Sequence, residues 1–280
     1  FHGHPDSTLI KSGSNLLSSG QASSAGISQK VASDVFIANY NDINSVEKIL
    51  NEHGHEIASI IIEPLAGNMG LIEPKKDFLK NIRMLADKHS ILLIFDEVIN
   101  GFRLHAGTYG SLCGVKPDIT TFGKIIGGGL PIGAIGGIKS VMEYLAPIGP
   151  VYQSGTLCGN PLALSVGKKT IEILIDQSPY QKMEILGKRI SDGINKIAEE
   201  KDYALHCPQV GSMFTPFFRK EPVNNLQDAK DCNHREFARL FHHMLDSGFY
   251  LPPSGYEVAF LSAAHTENQI EKFLHALSSF

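Results

Sequence analysis

The sequence predicts an α/β protein, with a mainly parallel sheet covered by helices and a smaller α+β segment behind it. Three observations carry this expectation. From residue 44 onward, short apolar runs alternate with segments of helical period. Each run ends in a polar pair: Glu63-Pro64, Asp96-Glu97 and Gly123-Lys124. After residue 160 this rhythm gives way to long amphipathic helices and short mixed elements. At 280 residues, 42% of them hydrophobic, the chain can bury the core of one large domain or two.

The elements follow in order. The stretch "SGSNLLSSGQASSAGISQ", inside 12–30, is rich in Ser, Gly and Ala and too poor in apolar residues to order itself by burial. It reads as a mobile surface loop, either a disordered spacer or an active-site lid. Asn44 with Glu47 forms a capping-box pattern that opens a helix carrying Val46, Ile49 and Leu50 on one face, and Gly54 closes it. "IASIII" (57–62) reads as a strand buried on both faces. Asp77 to His89 repeats the helical period with Phe78, Ile82, Leu85 and Ala86. "ILLIF" (91–95) is a second buried strand and "DITTF" (118–122) a third. Consecutive strands joined through helices run parallel, and ligands of such sheets sit beyond the carboxyl ends of the strands.

Asn160-Pro161 reads as an N-cap followed by proline at the first helical position. A helix over 181–200 carries Met183, Leu186, Ile190, Ile194 and Ile197. Short strands are expected in "SMFTPFF", "FYL" and "VAFLS", with helices around 235–246 and 266–280, the last opened by a Thr266–Gln269 capping box. The domain boundary is placed near residue 176, giving 1–176 and 177–280.

Composition excludes several function classes. A formal net charge of -4 gives no field to attract nucleic acid or anionic lipid, so a small-molecule partner is expected. No apolar run reaches membrane-spanning length, and no secretory signal opens the chain. The four cysteines are scattered with no CxxC pair, which fits a reduced, cytoplasmic setting better than a disulfide scaffold. His2-x-His4 and His53-x-His55 have no cysteine or carboxylate cluster to complete a metal site, so no metal is expected. His242-His243 reads as a solvated helix face, and Cys158 as a packing residue. There is no initiator methionine, and "FHGHPDS" reads like the middle of a domain, as in a processed or truncated chain lacking its N-terminal part.

The chemistry gathers at the strand ends. Lys124 precedes a triple glycine in "TTFGKIIGGGLPIGA", whereas a P-loop places its glycines before the lysine and Ser or Thr after it. Asp96 follows a wholly apolar run, so its carboxylate calls for a cationic partner. Two readings stay open from spacing: a structural Asp–Lys pair, or a pyridoxal phosphate site. The second needs a lysine amine and an acid that keeps a pyridine nitrogen protonated. In that reading the glycines give the lysine arm and the ring room. Glu63 reads as an organiser of strand-end hydrogen bonds.

"IIIEPLAGNMG", "LLIFDEVINGFRLHAGTYG", "PDITTFGKIIGGGLPIGAIGG" and "GPVYQSGTLCGNPLA" resemble the core motifs of class III, fold-type-I, pyridoxal-phosphate-dependent aminotransferases. The resemblance extends from "FHGHPDSTLIKSGS" to "LPPSGYEVAFLSAAHTENQI", essentially the whole chain, and is strongest to the aminomutase branch. It implies that Lys124 bonds the cofactor and shuttles protons, and that Asp96 partners the pyridinium nitrogen, with Val98 against the ring. Phe1 and His2 match an aromatic-His-Gly motif whose ring stacks on the cofactor; Phe1 keeps the stacking and lacks the hydroxyl of the more usual tyrosine. Asn68 falls near the cofactor's phenolic oxygen. Gly155 and Thr156 match a loop that reaches the partner subunit's cofactor phosphate, which implies a homodimer with shared sites. Glu257 matches a carboxylate that moves near the cofactor, and 12–30 falls where the family has its gating loop.

The implied reaction is an internal amino transfer converting glutamate-1-semialdehyde to 5-aminolevulinate, the tetrapyrrole precursor, using pyridoxal 5'-phosphate and pyridoxamine 5'-phosphate. The implied location is the cytoplasm, or the plastid stroma in a plant or alga. Two alternatives stand beside it. One is an ordinary class III aminotransferase with separate donor and acceptor. Against it, "INGFRLHAGTYG" and "AGNMG" depart from the "TGFGRTG" and "QGEGG" types. The other is an inactive fragment, since the family's phosphate-cup residues lie upstream of Phe1.

Overall fold

The computed structural model describes residues 2–11, 21, 22 and 24–280. At the start, β1 (Ile10–Lys11) pairs antiparallel with β2 (Gln21–Ala22). The Ser28 hydroxyl then caps α1 (Gln29–Ser33) by accepting from the Lys30 N–H. The expected lid over 12–30 falls largely outside the described residues, and its last two positions already belong to α1.

The cap of α2 (Ile43–His53) is Asp42, two residues before the Asn44 expected from sequence. Asp42 has extended backbone, and its Oδ1 accepts from the Asn44 and Ser45 N–H groups at 3.1 and 3.3 Å. Val46, Ile49 and Leu50 are buried as the period requires.

The main sheet contains β3 (Ser59–Ile62), β4 (Leu92–Asp96), β5 (Ile119–Phe122) and β6 (Ala134–Gly137) in that spatial order. Between them run α3 (Phe78–His89) and α4 (Tyr109–Cys113). The first three strands are parallel and β6 is antiparallel. Ile62 lies opposite Phe95 and Asp96 opposite Thr121, so the carboxyl ends of β3, β4 and β5 share one edge. One face packs on α3 through Ile62, Leu93, Phe95, Phe78, Leu79, Ile82 and Ala86.

The strand "IASIII" is not buried on both faces. β3 has β4 as its one neighbour in the described sheet, and Ile61 on its other face is 39% exposed. β6 has no strand signal in its sequence, because Gly136-Gly137 contributes no side chains to pack. Glycine permits the strand there: a Cβ on Gly137 would stand 2.6 Å from the Asp118 carbonyl oxygen. Asp118 also locks the sheet to α3. Its Oδ2 accepts from the Arg83 guanidinium at 2.8 Å and from the Leu93 N–H at 2.7 Å.

Beyond β6 come α5 (Lys139–Met142) and α6 (Pro161–Gln177). Asn160 caps α6 as expected, its Oδ1 accepting from the Ala163 N–H at 2.9 Å, with Pro161 in the first turn. Next, α7 (Tyr180–Glu200) buries Met183, Leu186, Ile190 and Ile194. A small antiparallel sheet follows, of β7 (Gln209–Val210), β8 (Met213–Phe214) and β9 (Ala259–Phe260). Around it lie α8 (Leu226–Lys230), α9 (His234–Asp246) and α10 (Glu267–Leu277). The Thr266–Gln269 capping box is present in full. "FYL" (249–251) is not a strand; Leu251 instead inserts into the core. That core joins α7, α9 and α10 through Leu186, Ile190, Ile194, Leu240, Met244, Ile270 and Phe273. Met213 and Val258 pack instead with Leu65, Leu71 and Ile99, which fixes the small sheet against the loops at the strand ends of the large one.

Candidate active site

Asp96 ends β4, where its side chain is 8% exposed, and the fold meets its charge on three sides. The His2 Nδ1 lies 2.7 Å from Oδ2. The Val98 N–H and, more distantly, the Thr121 hydroxyl donate to Oδ1 at 3.1 and 3.4 Å. Burial by itself would raise this carboxyl. The His2 hydrogen bond, the Val98 N–H and the charges of His2 and Lys124 outweigh it and hold the group below the usual carboxylate range. The side chain in contact with Asp96 is therefore His2 and not Lys124, which acts from further off. Sequence spacing alone offered Lys124 because it follows the neighbouring strand, whereas His2 is 94 residues away.

Lys124 follows β5 and begins a single 3₁₀ turn, Lys124–Gly127, with its own φ at +47°. This is left-handed backbone, which disfavours a side chain bearing a Cβ by ~1–3 kcal/mol and concentrates at functional sites. The turn carries the chain off the strand, and the Lys124 side chain is exposed. Val98 stands beside it: a Cβ on Gly123 would lie 3.2 Å from Val98 Cγ1.

The triple glycine does not serve mainly to free the lysine arm. A Cβ on Gly128, whose φ is +57°, would stand 2.2 Å from the Thr170 hydroxyl and 2.9 Å from Val166, both on α6. Reciprocally, a Cβ on Gly167 of α6 would stand 2.4 Å from the Ile126 carbonyl oxygen. Gly128 and Gly167 let α6 dock on the turn that carries Lys124, a Cβ on Gly127 would meet Ile132, and Gly129 faces open space.

Asn68 is exposed and sits at the end of β3, where Glu63 organises the loop as the sequence suggested. One carboxylate oxygen of the buried Glu63 accepts from the Gly67 N–H at 2.8 Å, the other from Asn68 Nδ2 at 2.9 Å. The loop is tied to the Asp96 segment by Asn100, whose Nδ2 donates to the Leu65 carbonyl at 2.9 Å, and by Ile99 against Gly67. Glu257 is exposed and adjoins the same loop, because the Gly70 N–H donates to the carbonyl of Tyr256 at 2.6 Å. Gly155 and Thr156 are exposed just before α6 and meet none of these residues within hydrogen-bonding reach. Phe1 lies outside the described residues.

Two contributors escaped the sequence reading. Thr121 reaches Asp96 only through strand register, and Tyr40 donates to the Pro64 carbonyl at 3.1 Å, pinning the Glu63 corner from 24 residues away. Glu97 carried a signal, the "DE" pair, yet it is structural: fully buried, it accepts from the Tyr109 and Gly110 N–H groups. Among the described residues, no group of three metal-ligating side chains occurs.

A mainly parallel sheet that delivers an ionised acid, a strained lysine and an amide to one edge defines a fold-type-I α/β transferase architecture. A model of the class-III aminotransferase family matches residues 1–280, and the chain belongs to that family. It is 45% identical, over its full length, to a glutamate-1-semialdehyde 2,1-aminomutase of Clostridium kluyveri, covering 67% of that protein. Identity is 44% to the enzyme of the same name from Sulfurihydrogenibium azorense, over 98% of this chain and 64% of that one. The chain thus spans about two thirds of the length of these relatives. Among solved structures, an omega-transaminase from Sphaerobacter thermophilus superimposes on the whole chain with a TM-score of 0.89 at 27% identity, using 65% of its own length. A glutamate-1-semialdehyde aminomutase from Pseudomonas aeruginosa in complex with PMP shares the fold, with a TM-score of 0.86 at 23% identity, the match covering all of this chain and 63% of that one.

Proposed function

We propose that this chain is the lysine-bearing and C-terminal part of a pyridoxal-phosphate-dependent aminomutase that converts glutamate-1-semialdehyde to 5-aminolevulinate. The observation that carries the chemistry is an Asp96 carboxylate held ionised by His2 and Val98, one strand away from a strained, accessible Lys124. The substrate assignment is supported by the names of relatives 44–45% identical over nearly all of this chain.

The donor set fits pyridoxal phosphate. Asp96 presents the charge that a protonated ring nitrogen needs, Val98 an apolar wall, Lys124 a primary amine and Asn68 an amide for the phenolic oxygen. Once bound, the cofactor supplies an electron sink for a carbanion next to nitrogen. His2 keeps Asp96 anionic and fixed in direction. Lys124 Nζ would hold and move the proton exchanged between each amine-bearing substrate carbon and the cofactor's exocyclic carbon. Glu63 aims Asn68.

The same reading assigns residues 1–176 to the large domain, 177–280 to the small domain and 12–30 to a gating loop, in a cytoplasmic homodimer. Gly155 and Thr156 reach the partner's site, with Phe1 stacking on the cofactor and Glu257 moving beside it. Exposed Tyr144, Ile148, Tyr152, Leu157 and Leu162, clustered in sequence around that loop, support a partner-covered surface. A second reading, transfer between separate donor and acceptor, is favoured by the likeness to the omega-transaminase.

Borohydride reduction followed by denaturation should leave the cofactor covalently on the protein but not on Lys124→Ala. Retention by the variant would remove Lys124 from its role. Product formed from glutamate-1-semialdehyde with no added donor or acceptor supports the aminomutase; a strict requirement for a second substrate supports the transaminase.

A further inference from the structure

Arg103 carries an unmet charge outside the Asp96–Lys124 cluster. Its Nε is buried with no acceptor, and its guanidinium has no hydrogen bond or ion pair among the described residues. The other half-buried arginines are ion-paired, although the Arg83 Nε is also without an acceptor. Arg83 holds Asp87 and Asp118 at 2.7 and 2.8 Å, and Arg219 holds Asp228 and Glu221 at 3.1 and 3.5 Å. Arg103 instead lies over the ring of Phe260 on β9, with its guanidinium carbon 4.6 Å from the ring centroid.

Its backbone is fixed from both sides. The Arg103 N–H donates to the Asn100 carbonyl at 3.0 Å, and the Tyr180 hydroxyl of α7 donates to the Phe102 carbonyl at 3.2 Å. Burial pushes the guanidinium down to about 10, offset in part by the nearby Tyr180 phenol. Glu184 is an acid of the same neighbourhood, on α7 four residues beyond Tyr180. It approaches Gly211, as Leu104 does, and makes no ion pair with Arg103.

A desolvated, unpaired cation is costly, and a guanidinium stacked on an aromatic face keeps its N–H groups in one plane for a planar anion. One fork with no second cation beside it matches the single charge of a carboxylate better than a phosphate dianion. We infer that Arg103, stacked on Phe260, is a carboxylate-binding site filled from outside the described residues. The source is either a free carboxylic acid, for which succinate is the probe, or an acidic side chain of another protein segment.

The Nε–H resonance of Arg103 in 15N-arginine-labelled protein tests this, assigned by its loss in both Arg103→Lys and Arg103→Gln. Succinate is titrated against sodium chloride at matched ionic strength. A saturable downfield shift with succinate alone, weakened about tenfold or more at the site in Arg103→Lys as read by calorimetry, supports a free acid. A resonance already downfield, slow to exchange and indifferent to succinate, supports a protein carboxylate. The same signal returning to the free-arginine position in Glu184→Gln overturns the inference, because the chain then fills the site itself. A resonance at the free position throughout also overturns it.

Discussion

Glu63 offers the sharpest separation of stability from site chemistry. Its two carboxylate oxygens accept from Gly67 N–H and Asn68 Nδ2, both charge-assisted bonds, the first buried and the second part-buried. Glu63→Ala removes both acceptors and leaves the Gly67 N–H buried without one. At ~1.5–3 kcal/mol for a hydrogen bond to a charged group, with the part-buried Asn68 bond discounted for solvent, the loss is about 2–4 kcal/mol. Glu63→Gln behaves differently. Its remaining oxygen serves Gly67, whose N–H cannot move, and its new NH₂ faces Asn68. The Asn68 amide then flips to present its oxygen, so two neutral bonds replace two charged ones at a loss of ~1–2 kcal/mol. The flip also exchanges the donor and acceptor that Asn68 offers to the site. Urea unfolding followed by circular dichroism reads the first quantity, and titration with pyridoxal phosphate the second. Glu63→Gln should keep most of the stability and lose cofactor affinity out of proportion. An alanine variant no less stable than the glutamine variant, or a glutamine variant that binds cofactor normally, would refute this account.

Two further predictions follow from the same cluster. The folded Asp96 carboxyl lies below its ordinary value, so its stabilisation is complete above the unfolded carboxylate pKa and is lost as pH falls through the folded value. His2→Ala leaves burial dominant, so the acid-unfolding midpoint should move to higher pH; an unchanged midpoint in a downward pH titration would count against the His2 contact. Gly167→Ala forces a Cβ to within 2.4 Å of the Ile126 carbonyl and should lift α6 from the lysine turn. A loss of ~1–3 kcal/mol is expected by thermal unfolding, together with faster chemical labelling of Lys124. Unaltered stability and reactivity would show that the turn does not depend on that docking.

Much of the architecture was legible in the chain. Apolar runs at 59–62, 92–95 and 119–122, the helices between them, the Asn160-Pro161 start and the Thr266 capping box all rest on local periodicity and local hydrogen bonds. The errors share a different origin. The cap of α2 moved to Asp42 because φ and ψ at the preceding residue, not residue type alone, decide which side chain reaches the free N–H groups. Apolar composition does not report how many sides of a strand are covered, so the exposure of Ile61 on β3 among the described residues was not legible. Glycine-rich β6 was silent because its reason for being a strand is a close approach to Asp118.

For the site, the sequence by itself determined which groups are present: an acid after one apolar strand, a lysine after the next, an amide after a third. Strand order and register put those ends on one edge, and they follow from the parallel pattern. Only the tertiary structure decided that His2 contacts Asp96, that Lys124 sits on strained backbone, that Gly128 receives α6 and that Arg103 has no acid beside it among the described residues. Each of these depends on contacts between residues far apart in the chain or on a backbone angle imposed by packing. Local pattern encodes neither, because it records what a residue prefers and not what the folded chain brings beside it.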